Sequence, residues 1–121
     1  MTQVQIKRVY DPPAADDGYR ILVDRLWPRG VSRERADLDE WMKDVAPSAP
    51  LRQWWAHDRD RLEEFSRRYR SELDHNTAIT SLRERLHDHA SVTLVYAAHD
   101  RDVNHAAVLR DYLLHDGDEN G

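Results

Sequence analysis

Cysteine is absent from this chain of 121 residues, which removes disulfides, thiolate metal sites and cysteine nucleophiles and is compatible with a reducing compartment. Glycine occurs only four times, too rarely for a glycine-rich phosphate cradle, and GxGxxG, the Walker-type phosphate loop and GxSxG are all missing. Long hydrophobic runs are missing too. No stretch approaches the roughly 18 apolar residues of a membrane span, and the start MTQVQIKRVY has no apolar signal-peptide core. The cytoplasm is the expected location, with no membrane contact. Lysine is scarce, Lys7 and Lys43 being the only two. Net positive charge is also lacking: the formal charge of -5 argues against a general affinity for nucleic acid, whose backbone is held mainly by clustered cations.

What is present describes a globular domain. Apolar residues make up 40% of the chain and charged residues 34%, with a mean hydropathy of -0.88, as in a single domain with a real core and a charged surface. VQIKRV, Val4 to Val9, is β-branched and partly alternating and stops at the turn-rich DPPAADDG. Tyr19 to Asp24 carries Ile21, Leu22 and Val23 without alternation, the pattern of a strand covered on both faces in a mostly parallel sheet. Leu38, Trp41, Met42 and Val45 fit either a helical face or a short strand, and Pro47 ends both.

Ser48 as N-cap with Pro50 in the first turn opens a short helix carrying Leu51, Trp54 and Trp55. From Arg59 to Asp74 the residues Leu62, Phe65, Tyr69 and Leu73 recur at steps of three and four, which predicts an amphipathic helix. A second helix begins near Asn76 or Thr77 and uses Ile79, Leu82 and Leu86. Val92 to Ala98 reads as a central strand, and Asn104 caps a last helix whose apolar face is Ala106, Leu109, Tyr112 and Leu113. Residues 116–121 are expected to be a disordered tail. The interleaving of strands and helices predicts one α/β domain over residues 1–121, a small mostly parallel sheet flanked by helices.

In open α/β sheets ligands gather beyond the carboxyl ends of strands, and LVDRLWPRG and VYAAHDRDVNH are the two such ends here. At the first, Arg25 and Arg29 offer forked donors beside Trp27. At the second, Asn104 and His105 open a helix whose free N–H groups attract anions, with the Tyr96 hydroxyl just upstream. Each has a plainer reading. The two arginines could pair with Asp24, Glu34 or Asp37 on the surface, Trp27 could belong to the core, and Asn104 could serve as a cap alone. Trp41, Trp54 and Trp55 are core residues or interface anchors. The histidines are poorly arranged for a metal: His87 and His89 point to different sides of a helix, and HExxH does not occur. No metal and no cofactor is expected.

The blocks RILVDRLWPRG, LDEWMKDVAPSAPLRQWWAHD, EEFSRRYRSEL and VTLVYAAHDRDVNHAAVL together resemble the short, YeaO-like branch of the family called domain of unknown function 488. The likeness runs from about Ile6 to Leu114 and implies a bacterial type of single α/β domain with no established activity. The positions that match its pattern are Asp24, Arg25, Trp27, Pro28, Arg29 and Gly30, then Trp41, Lys43, Ala46, Pro47 and Ser48, then Tyr96, Ala97, Asn104 and His105. Longer relatives place cysteines in the last block, where this chain has none, and His99 stands where close relatives often carry lysine.

The resemblance implies that the strand ends and the KDVAPS segment converge on a cationic pocket lined by Arg25, Arg29, Lys43, Ser48, Asn104 and His105. Such a pocket in an acidic protein suits a small anionic ligand bearing phosphate or carboxylate. The expected site is thus His105 as a general acid or base, with Arg25, Trp27, Arg29, Lys43, Ser48, Tyr96 and Asn104 binding the ligand. Whether catalysis occurs is left open by the residues. The rival reading is a protein-interaction or regulatory module, with the WWAHD segment and Trp41 meeting a partner or, in a homodimer, a second copy. A weaker third reading has Arg25, Arg29, Arg33 and Arg35 contacting nucleic acid, against the interspersed acids.

Overall fold

A computed structural model of the chain describes residues 2–119, and the side chains of residues 2–115. Its sheet has four parallel strands in the order β1-β4-β2-β3: β1 Gln3–Arg8, β2 Tyr19–Leu22, β3 Glu40–Trp41 and β4 Ser91–Tyr96. Five helices accompany it, α1 Arg33–Ala36, α2 Ala49–Trp55, α3 Leu62–Asp74, α4 Ala78–Asp88 and α5 His105–Glu119. The chain is a small α/β domain, as its alternating pattern predicts. β4 pairs with β1 from Gln3↔Ser91 to Arg8↔Tyr96 and with β2 from Tyr19↔Val92 to Leu22↔Val95. Both faces of β4 are also covered, Val92, Leu94 and Tyr96 by the main core and Val95 by a smaller cluster, which is why VTLVY lacks alternation.

The two faces are covered differently. Ile21, Val23, Val92, Leu94 and Tyr96 face the main core, where Phe65, Tyr69 and Leu73 of α3, Ile79 and Leu82 of α4 and Leu109 of α5 meet them. Leu22 and Val95 face the other way, into a smaller cluster with Val9, Val31 and Ala36, against which Tyr10, Trp27, Leu38, Trp41 and Ala97 pack. Irregular chain and the one-turn helix α1 cover this second face. Residues 9–18 carry the chain from the end of β1 to the start of β2, a short path for a parallel connection, which ordinarily takes about a dozen residues or more. Gly18, at φ 68°, makes it feasible, because a Cβ there would lie 2.2 Å from the Ser91 carbonyl oxygen.

A buried charge network fastens this cover. Arg20 is 3% exposed and Asp17 2%. The Arg20 guanidinium donates to Asp17 Oδ2 at 2.6 Å, to the Asp37 carbonyl at 2.9 Å and to the Ala36 carbonyl at 2.7 Å. Lys7 Nζ reaches the same carboxylate at 2.9 Å. Burial alone would raise the Asp17 pKa, but hydrogen bonds from Lys7, the Ala14 N–H and Arg20 outweigh it and hold the carboxyl below its ordinary range.

Several boundaries differ from those expected. The segment with two readings forms the two-residue β3 followed by a 3-10 turn, Lys43–Val45. β2 ends at Leu22 instead of Asp24, although the Val23 N–H still reaches the Val95 carbonyl at 3.0 Å. Ser48 caps α2 as its position implies, accepting from the Leu51 N–H. α5 continues to Glu119, so the expected disordered tail falls on residues 116–121, whose side chains, and for 120–121 the backbone, lie outside the described residues. Among the described residues no helix is long and apolar enough to cross a membrane.

Candidate functional site

Because every strand is parallel, all four carboxyl ends lie on one edge of the sheet, and a cleft of about 500 Å³ opens there. Each strand end contributes to it. Tyr10 follows β1, Asp24 to Arg29 follow β2, Ala46 and Pro47 follow β3, and Ala97 and Ala98 follow β4. Arg52, Gln53 and Trp55 of α2, His57 just beyond it, and His105 at the start of α5 complete the lining.

The floor is an acid and a histidine. Asp24 Oδ2 accepts the Ala97 N–H at 3.0 Å, and Oδ1 lies 3.3 Å from His105 Nε2. His105 Nε2 is also 3.0 Å from the Val23 carbonyl. A carbonyl can only accept, so this contact places a proton on Nε2, between two oxygens. Oδ1 itself has no hydrogen bond. Burial raises the Asp24 pKa above the ordinary carboxylate value, opposed by His105, the Ala97 N–H and Arg52. The Asp24 backbone is fixed from the other side by the Trp41 indole, which donates to its carbonyl at 2.7 Å.

The walls carry the cations. Arg25 donates from one terminal nitrogen to the Ala46 carbonyl at 3.3 Å, and its Nε is buried without a partner. Arg29 anchors its loop through its backbone carbonyl, which accepts from the Tyr10 hydroxyl at 3.0 Å. Among the described residues, no carboxylate forms an ion pair with Arg25, Arg29 or Arg52. His57 packs on Trp55 with ring centroids 4.8 Å apart. Desolvation of that ring, with repulsion from His105, lowers its pKa, so the neutral form is favoured.

Of the residues singled out from the sequence, Arg25, Trp27, Arg29 and His105 line the cleft together. The other four stand elsewhere, each for a visible reason. Lys43 is exposed and lies over the Trp41 ring, 5.2 Å from its centroid. Ser48 is occupied as the α2 cap and by Glu72 of α3, whose carboxylate receives its hydroxyl at 2.5 Å and its N–H at 2.9 Å. Tyr96 is 1% exposed in the main core. Asn104 is fully buried at the head of α5, where Oδ1 accepts the Ala107 N–H and Nδ2 donates to the Asp100 carbonyl.

Sequence reasoning missed Arg52, His57 and Tyr10 as lining residues, and treated Asp24 as an ion-pair partner rather than the floor. Two signals point to Asp24, an acid directly after a buried apolar run and its place among the positions that match the family pattern. Among the described residues no three His, Asp or Glu side chains group as a metal site.

A family model described as the inactive DUF488-N3 subclade matches residues 3–121. An uncharacterized protein of Mycobacterium tuberculosis is 45% identical over 83 residues, covering 69% of this chain and 70% of that protein. One from Mycobacterium bovis matches to the same extent. The uncharacterized protein YeaO of Escherichia coli is 49% identical over 70 residues, covering 58% of this chain and 61% of YeaO. No solved structure matches significantly.

Proposed function

We propose, from the premise that this chain belongs to the DUF488 family and to its subclade described as inactive, that it binds a small phosphate- or carboxylate-bearing ligand in the strand-end cleft without transforming it. One observation carries the reading. Arg25, Arg29 and Arg52 reach a single cleft with no carboxylate paired to any of them among the described residues, in a protein of formal charge -5. Unpaired guanidiniums in an acidic body concentrate positive potential where an anion can neutralise it, and their forked donors match phosphate and carboxylate oxygens.

The floor supports binding over catalysis. Asp24 and His105 are the nearest thing to an acid–base pair, yet the proton on His105 Nε2 is already held by the Val23 carbonyl. Among the described residues, no serine, threonine or lysine lines the cleft. The interaction-module reading has less support, since it calls for exposed tryptophans. Trp55 is 1% exposed, Trp27 and Trp41 are half-buried against the second-face cluster, and Trp54 is half-buried under Arg61 and Arg68.

A thermal-shift screen of phosphate esters and small carboxylates against the wild type, Arg25→Ala and Arg52→Ala tests the reading, because a ligand that binds only the folded state raises its melting temperature. At least one anion should stabilise the wild type. Each variant should weaken that anion by roughly 10- to 100-fold, since a hydrogen bond to a charged group is worth about 1.5–3 kcal/mol. No stabilisation by any anion, or stabilisation of both variants to the same extent as the wild type, would overturn it.

A further inference from the structure

Phe65, Trp55 and His57 form a column of rings that climbs from the core to the cleft. Phe65 and Trp55 stack with centroids 3.8 Å apart and planes at 16°. Trp55 and His57 follow at 4.8 Å and 34°. The first two rings are buried, whereas His57 is exposed, lines the cleft and has no hydrogen bond or ion pair among the described residues. The column therefore ends in a planar ring exposed at the cleft.

The backbone holds that ring in an uncommon way. Ala56 has φ 48° and His57 φ 57°, two successive left-handed residues that are not glycine. Ala56 is the ordinary C-cap of α2, its N–H bonded to the Arg52 carbonyl. His57 extends the left-handed turn one residue further and is locked there by two bonds across it, the Asp58 N–H to the Trp55 carbonyl at 2.9 Å and the Trp55 indole to the Asp58 carbonyl at 3.0 Å. Residues kept in sparsely populated backbone regions cluster at ligand clamps.

The rest of the lining agrees with a ligand that has an apolar body. Leu26 is 67% exposed beside Trp27 and Pro28 at the cleft. A hydrated inorganic anion would gain nothing from these surfaces and would fill little of about 500 Å³, a size typical of sites for organic ligands.

We infer that the ligand of this cleft carries a planar aromatic ring joined to its anionic group, the ring stacking on His57 while the arginines hold the anion. The inference rests on the anion-binding reading above. Stacking on an aromatic side chain is sequence-tolerant and strong enough to dominate selectivity, commonly changing affinity by about 10-fold or more per ring. The arrangement accordingly selects aryl phosphates or carboxylates of nucleotide size over their aliphatic counterparts.

Calorimetry with matched probes separates the two levels. Adenosine 5′-monophosphate is compared with ribose 5-phosphate, and benzoate with acetate, on the wild type, His57→Gly and His57→Phe. Glycine accepts the left-handed backbone and deletes the ring, while phenylalanine keeps a ring without the imidazole nitrogens. In at least one pair the aromatic member should bind about 10-fold more tightly. His57→Gly should erase that preference, and His57→Phe should keep it. If both members of every binding pair bind equally, or if His57→Gly leaves the preference intact, the stacking inference is overturned while anion binding stands. If no probe binds, the anion reading itself falls, and this inference with it.

Discussion

Arg20→Ala tests the device that holds the second face of the sheet, and with it the segments carrying Tyr10, Trp27 and Arg29 to the cleft. Asp17 and Arg20 have side chains only 3% and 4% exposed. Losing the guanidinium strips the Ala36 and Asp37 carbonyls of their donor and leaves the Asp17 carboxylate with Lys7 and the Ala14 N–H. Breaking one side of a buried pair typically costs about 3–5 kcal/mol, and a buried acceptor left without a donor about 1–3 kcal/mol. These overlap, so the expected loss is about 4 kcal/mol, a large share of the roughly 5–15 kcal/mol that holds a domain of this kind together.

Acid should expose the same network. Asp17 is held below its ordinary value of 3.8, so its contribution is full above that value and is lost as the pH falls through the folded-state pKa. Arg20→Ala removes one of the bonds responsible. The gap between wild type and variant should be widest at neutral pH and should narrow below about pH 4. Urea unfolding at pH 7 and pH 3 measures both quantities. A loss under about 1 kcal/mol at pH 7, or a gap unchanged in acid, would refute the reasoning.

Three further outcomes follow from single contacts. Gly18→Ala drives a Cβ to 2.2 Å from the Ser91 carbonyl oxygen, whereas Gly30→Ala, at φ 73°, meets nothing within 4 Å. Thermal melts should show a loss of several kcal/mol for the first and about 1 kcal/mol for the second. Ser48→Ala should cost about 1–2 kcal/mol in denaturant titrations, through the lost cap and Glu72 bond, and leave ligand affinity within about two-fold. Asp24→Asn keeps an acceptor for the Ala97 N–H and removes a buried charge. Because burial raises the folded pKa of Asp24, its contribution is full below the ordinary carboxylate range and is lost as pH rises through the folded value. The variant should therefore gain stability relative to wild type as the pH rises above the ordinary carboxylate range, and should bind anions more tightly.

Elements built on a single periodicity are legible in the sequence alone. Phe65, Tyr69 and Leu73 repeat at helical spacing and are buried on one face of α3, and VTLVY lies at the centre of a parallel sheet as its continuous apolar run implies. What escaped was whatever depends on long-range partners. A short strand is one of two readings of Leu38 to Val45, and the choice and length are set by register: only Glu40 and Trp41 pair with Ile21 and Leu22. Arg20 reads as a polar residue opening a strand. It is buried because Asp17, from the β1–β2 connection, and the end of α1 close over it.

The site divides in the same way. Arg25, Arg29 and His105 followed from the rule that ligands gather at strand ends, whereas Arg52 and His57 come from α2 and the turn after it. That turn is left-handed at two residues without a glycine to announce it. Ser48 and Asn104 were legible as caps, and capping is the role their hydrogen bonds fill.

The most direct test of the central claim is an amide chemical-shift titration of isotope-labelled protein with phenyl phosphate, which carries both the anion and the ring. Saturable shifts concentrated at Arg25 to Arg29, Gln53 to His57, Ala97, Ala98 and His105 are the predicted result. Shifts confined to the outer faces of α3 and α4, or none at all, would contradict the assignment of the strand-end cleft as the ligand site.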